Sequence, residues 1–132
     1  MPPCAGMVLD AGESWWFVSA QEAQGIAPAE PVLPVPGMVP PAIGLVLTEE
    51  QVATALQVGS APASDMIMCM TQGGPVALFG ARVVATGVFE LTEGQVKFQN
   101  KSARLLDVRQ LTFDIEAALW RAARLGEQER SE

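Results

Sequence analysis

The chain has 132 residues, 49% of them hydrophobic and 17% charged, which is material for one modest folded domain and too apolar for a wholly disordered chain. Its net charge of −7 argues against nucleic acid as a partner, because phosphate binding needs clustered Lys and Arg. Histidine is absent, which removes the Ser-His-Asp triad, imidazole metal ligation and histidine acid–base chemistry.

The first residues, MPPCAGMVLDAGE, lack the basic and long apolar regions of a signal peptide, and no apolar stretch approaches the length of a membrane span. The expectation is a cytoplasmic protein with no direct membrane insertion. Gly6 to Asp10 and Trp15 to Ser19 read as strands, with Ala11-Gly12-Glu13-Ser14 as the polar insert of a hairpin. Trp15 and Trp16 point to opposite faces, so an indole serves either as a partner anchor or as cover for an edge. Ala27 to Pro41, APAEPVLPVPGMVPP, reads as a semi-rigid connector outside any ladder, because its prolines remove donors and favour extended backbone. Val32, Leu33, Val35, Met38 and Val39 give it apolar side chains to bury, which argues for order.

Ile43 to Thr48 reads as a strand and Glu49-Glu50 as a turn. In Gln51 to Val58 the alternation of Val52, Thr54, Leu56 and Val58 fits a strand, while TEEQVATAL equally fits a capped helix. Ser60 to Ser64 is a loop. Asp65 to Thr71 and Pro75 to Phe79 form a second hairpin around Gln72-Gly73-Gly74, where glycine takes positive φ cheaply. Met66, Met68 and Met70 share one face of that strand and read as core filler; Cys69 then points the other way, to solvent or a second packed surface. Cys4 and Cys69 form no CxxC, which fits a reducing compartment and gives no metal site.

Arg82 to Leu91, Gln95 to Gln99 and Arg104 to Val108 are three further strand-like runs. From Thr112 or Asp114 the period becomes helical, with Ile115, Ala118, Leu119, Ala122 and Leu125 in one stripe and Gly126 as the expected stop. Gly73, Gly74 and Gly80 make neither GxGxxG nor a phosphate loop and read as turn residues. Glu49, Glu50, Asp65, Glu90 and Glu93 are read as solvated turn carboxylates, since paired-acid chemistry needs two of them facing across a cleft. No catalytic residue, metal ligand or cofactor is expected, which places function on surfaces.

The order of these segments resembles the CheW-like domain, the coupling module of bacterial chemosensory arrays. The run from Trp16 to Ile26 resembles the family's YALPAEDVxEV; Leu33-Pro34-Val35-Pro36-Gly37 keeps the family's PVPG; Met38 to Val58 follows its APPWVxGVVNLRGRVVPVVDL in outline. Val76 to Val84 is similar to gGLLVDRVxGV, with Ala81 at the position of its aspartate, and Leu105 to Leu111 resembles LLDVxxL. The resemblance spans roughly Met7 to Leu111, and it is the order of weak motifs that carries it.

It implies an all-β fold with a C-terminal helix, built as two intertwined SH3-like five-stranded β-barrels. Gln51 to Val58 is then a strand. Residues 5–125 would make one CheW-like domain and residues 126–132 a flexible acidic tail. The implied function is a non-catalytic scaffold between a chemoreceptor cytoplasmic tip and the regulatory domain of a CheA-type histidine kinase. Partner-binding residues are expected at Leu47, Thr48, Glu49 and Glu50, at Val35, Pro36 and Gly37, and at Arg82 and Val83. Where the family reads N-L-R-G, this chain reads Leu47-Thr48-Glu49-Glu50, so an acid holds the position of the basic residue and would repel an acidic partner. A small β-barrel subunit of a secretion or surface assembly shares the same Pro/Gly-rich β reading, and a cofactor-dependent or carboxylate-only enzyme, which would require an enclosed pocket with facing acids, is the remaining class.

Overall fold

The computed structural model describes residues 3–48, 51–62 and 64–130. β1 (Pro3–Asp10) and β2 (Trp15–Ser19) pair antiparallel from Gly6↔Ser19 to Asp10↔Trp15. The turn is the expected one. The Asp10 carboxylate accepts from the Gly12 amide at 2.9 Å, and the Ala11 amide donates to the Ser14 carbonyl.

The chain then leaves this hairpin and builds a second sheet from β3 (Ala23–Pro28), β4 (Val32–Leu33), β5 (Ala42–Leu47), β6 (Val52–Gln57), β7 (Asp65–Thr71) and β8 (Gly74–Phe79), in the order β3-β7-β8-β6-β5-β4. It returns as β9 (Arg82–Glu90), β10 (Gln95–Phe98) and β11 (Lys101–Leu105), completing the first sheet in the order β10-β11-β2-β1-β9. Two curled sheets result, the second inserted as one continuous stretch between strands of the first, followed by one helix, α1 (Val108–Arg130). The first sheet has the expected five strands, and the second gains a sixth in the two-residue β4. Residues 52–57 form a strand, paired antiparallel to β5 and parallel to β8.

Alternation explains why so many strands are apolar on both faces. Val8 and Phe17 enter a core inside the first sheet with Val96 and Ala103, while their neighbours Leu9 and Val18 enter a central core between the sheets. In the second sheet Ala53, Ala55, Ala77 and Met66 fill a tight inner core, and Leu56, Leu78, Ile67 and Cys69 face the central one. Each curled sheet thus lines its own interior with one face and shares the other. Small side chains, Ala53, Ala55 and Ala77, make up much of this second interior and pack at close range. Full burial of a side chain such as Phe17 contributes about 1.5–3 kcal/mol.

Several boundaries differ from the sequence expectation. Val32-Leu33, expected in a connector outside any ladder, pairs with Val46 and Leu45. Ala27 and Pro28 belong to β3, an edge strand, where a proline's missing donor costs no ladder bond. The last strand begins at Lys101 rather than Arg104, and Val108 opens the helix instead of closing that strand. α1 starts there because Asp107 accepts from the Gln110 amide at 2.9 Å and the Glu22 carboxylate accepts from the Val108 and Arg109 amides at 2.9 and 3.2 Å. Gly126 does not end it; the helix continues to Arg130, since one interior glycine costs only about 1 kcal/mol.

Gly80 is more than a turn residue. Its φ is 84°, and a Cβ there would strike the Gly59 carbonyl. The backbone of residues 58–61 hydrogen-bonds both to Phe79 and Gly80 and to Ala11, so these two glycines let the strand connections of both sheets cross in contact.

Candidate functional site

The expected partner-binding residues fall in three places. Leu47 ends β5 and Thr48 follows it; the Thr48 hydroxyl accepts from the Gln51 amide at 3.1 Å and donates to its carbonyl at 3.0 Å. Glu49 and Glu50 lie outside the described residues. Val35, Pro36 and Gly37 follow β4, which runs antiparallel to β5, so they head toward the Ala42 end of that strand and away from Leu47. Gly37 has a φ of 84°, and the Met38 amide meets the Val35 carbonyl at 3.4 Å.

Arg82 and Val83 open β9 in the other sheet. Val83 packs on the central core, and Arg82 makes an ion pair with Asp10 at 3.1 Å. The Gly12 amide and then the Arg82 guanidinium hold the Asp10 carboxyl below the usual carboxylate range. These two residues border an inter-sheet cleft of about 320 Å³ with the buried Ile67 and Ala81 as its apolar floor and the exposed Ile26 and Asp65 also lining it.

The feature that the sequence reading missed is a row of aliphatic side chains on the outer face of the second sheet. Leu47 and Val52 are directly paired across the ladder and are 54% and 52% exposed. Leu33 pairs with Leu45 on the same face and is also exposed. The continuous apolar run IGLVL carries no alternation from which an outer face can be read. Beside the Thr48 turn lies a groove of about 420 Å³ lined by Pro28, Glu30, Gln51, Met66 and Met68.

The methionines grade outward: Met66 is buried, Met68 partly so, and Met70 is exposed. Cys69 faces the central core, where burial and then the charge of Glu22 push its thiol up to about 12. Both early indoles act as cover. Trp15 packs against Phe98 with Lys101 Nζ 4.7 Å from its ring centroid, and Trp16 donates from Nε1 to the Val58 carbonyl at 3.1 Å.

Glu90 and Glu93 share an open groove with Lys97 at the β9–β10 connection, whereas Asp65 begins β7 in the other sheet. Among the described residues no polar or charged side chain is buried, and no three Cys, Asp or Glu side chains are gathered to hold a metal ion. What the described surface offers is area for contact: an aliphatic row, a cleft between sheets and a groove beside a turn. No described helix is long and apolar enough to cross a membrane.

No protein-family model matches the sequence, and no curated protein matches it. The fold is similar to that of the scaffolding protein TtCheW from Thermoanaerobacter tengcongensis, with a TM-score of 0.61 and 12% identity over 82% of this chain and 91% of that one. The chain therefore has the CheW fold.

Proposed function

We propose that this chain is a divergent CheW-like adaptor that couples a chemoreceptor cytoplasmic tip to the regulatory domain of a CheA-type histidine kinase. It acts in the cytoplasm of a bacterium, within a chemosensory pathway that governs motility. Its mechanism is scaffolding: both partners bind to its surfaces and no bond is made or broken on it. The observation that carries this reading is the pair of curled sheets, a fold shared with a scaffolding CheW over 82% of this chain and 91% of that one.

Two surface features support it. The aliphatic row of Leu33, Leu47 and Val52 is an apolar patch of the kind that marks protein contacts. The cleft bordered by Arg82 and Val83 joins an apolar floor to charged rims, which suits the end of a helical partner. The acidic pair Glu49 and Glu50 in the sequence between β5 and β6 then selects partners by charge, favouring a basic contact and repelling an acidic one.

The test is titration of the full chain with a receptor cytoplasmic fragment and with the kinase regulatory domain encoded beside it. Binding to either supports the reading, and Glu49→Arg then changes receptor affinity without moving thermal stability. Binding to neither, together with co-sedimentation into a secretion or surface assembly, replaces it.

A further inference from the structure

α1 carries a second apolar stripe opposite the one that holds it to the fold. Val108 and Ile115 are buried in the central core and Leu111 packs against it. On the far side Phe113 and Trp120 are 64% and 68% exposed, and with Ala117 between them they line one groove of about 700 Å³ with Glu116 and Arg121 at its edges. A large aromatic on solvent is costly, and two at positions i and i+7 across an alanine form a seam.

The spacing has the form of a short coiled-coil repeat. With Phe113 and Trp120 as d positions and Gln110 and Ala117 as a positions, Glu116 falls at g and Arg121 at the following e. One heptad earlier the same five-residue spacing recurs with the signs exchanged, as Arg109 and Asp114. In a parallel two-stranded pair each g residue meets the e residue five positions on in the partner. Glu116 then faces a partner Arg121, and Arg109 faces a partner Asp114, on both sides of the seam. The described part of the chain leaves the Glu116–Arg121 pair for this use, since its one ion pair is Arg82–Asp10.

We infer that the outer face of α1 is a self-complementary docking surface whose occupant is the same face of a second copy of this chain, with the two helices parallel. Charge complementarity selects that occupant. A segment matched to this stripe must carry a base opposite Glu116, an acid opposite Arg121 and the reverse pair one heptad before, and the helix itself satisfies all of these. Ala117 layers between the Phe113 and Trp120 layers leave room for the rings of both copies. The seam covers fewer than two heptads of described side chains, so the dimer is a weak and reversible one. It does not depend on the adaptor reading and is tested without receptor or kinase.

Sedimentation equilibrium of the full chain should show a monomer–dimer equilibrium. Trp120→Ala should weaken it about tenfold or more. Glu116→Arg or Arg121→Glu alone should weaken it about fivefold. The double variant should restore it, and a mixture of the two single variants should form heterodimers. Those positions are exposed, so thermal melts should match wild type. A chain that stays monomeric at about 0.5 mM, a concentration at which weak specific pairs form, overturns the inference. So does a dimer indifferent to Trp120→Ala, or a double variant that stays as weak as the single ones, which would be the outcome for antiparallel helices or for an unrelated partner on this face.

Discussion

The Glu22 carboxylate accepts a hydrogen bond from the Val108 amide across 86 positions of sequence, and so fastens the first turn of α1 to the turn between β2 and β3. Burial, with the charge of Asp107 next, holds this carboxyl above its usual range, while the amides of Arg109 and Val108 oppose the rise. A carboxyl with a raised folded pKa binds its proton more tightly in the native state. Its contribution to stability is complete below the unfolded value of 4.5 and is lost as pH rises through the folded value. Glu22→Gln keeps an acceptor for the amides and cannot titrate. The melting temperature of wild type relative to Glu22→Gln should therefore rise as pH falls through the window just above 4.5; a difference constant with pH would refute the assignment. Glu22→Ala, which leaves both amides without this partner, should cost about 1–2 kcal/mol in chemical denaturation.

The two thiols should separate by reactivity. Cys69 is fully buried and its thiol is pushed up to about 12, whereas Cys4 is only half-buried on β1. A thiol reagent at pH 8 should titrate one thiol quickly in the native protein and the second only at the rate of unfolding. Fast modification of both would place Cys69 outside the central core.

Gly80 has a φ of 84° and abuts the Gly59 carbonyl. Gly80→Ala meets both backbone strain and a backbone clash, and should destabilise the fold by about 2–4 kcal/mol in urea denaturation. A change below about 0.5 kcal/mol would mean that the crossing relaxes without cost.

Leu47→Lys and Val52→Lys alter side chains that already stand mostly in solvent. Each should shift stability by less than about 0.5 kcal/mol. Each should also weaken the proposed contact with a protein partner about tenfold if it lies centrally in the interface. Full affinity for both receptor and kinase fragments after Leu47→Lys would remove the aliphatic row from the contact surface.

Local chemistry made the hairpins readable. The turns at Gly12 and Gly74 sit between runs that pair as the sequence suggests, and the structure keeps both. The helix start was not readable, because one of its caps comes from Glu22 in the distant β2–β3 turn and the other, Asp107, lies inside a strand-like run. β4 was hidden by flanking prolines, and its pairing comes from β5 rather than from its own pattern. The surface proved harder than the fold. Val83 and Leu47 are both apolar residues in strands, yet one packs on the central core and the other stands in solvent. Only the stacking of one sheet on the other decides which.

The parallel pairing of β11 with β2 sets Ala103 beside Trp15. Every strand of the second sheet comes from a single continuous stretch between residues 23 and 79, but the first sheet needs both ends of the chain. During synthesis the opening hairpin must wait, as an isolated ribbon of marginal stability, until the last three strands emerge. The middle of the chain is thus free to fold first, and its beginning is held in reserve to be closed by its end.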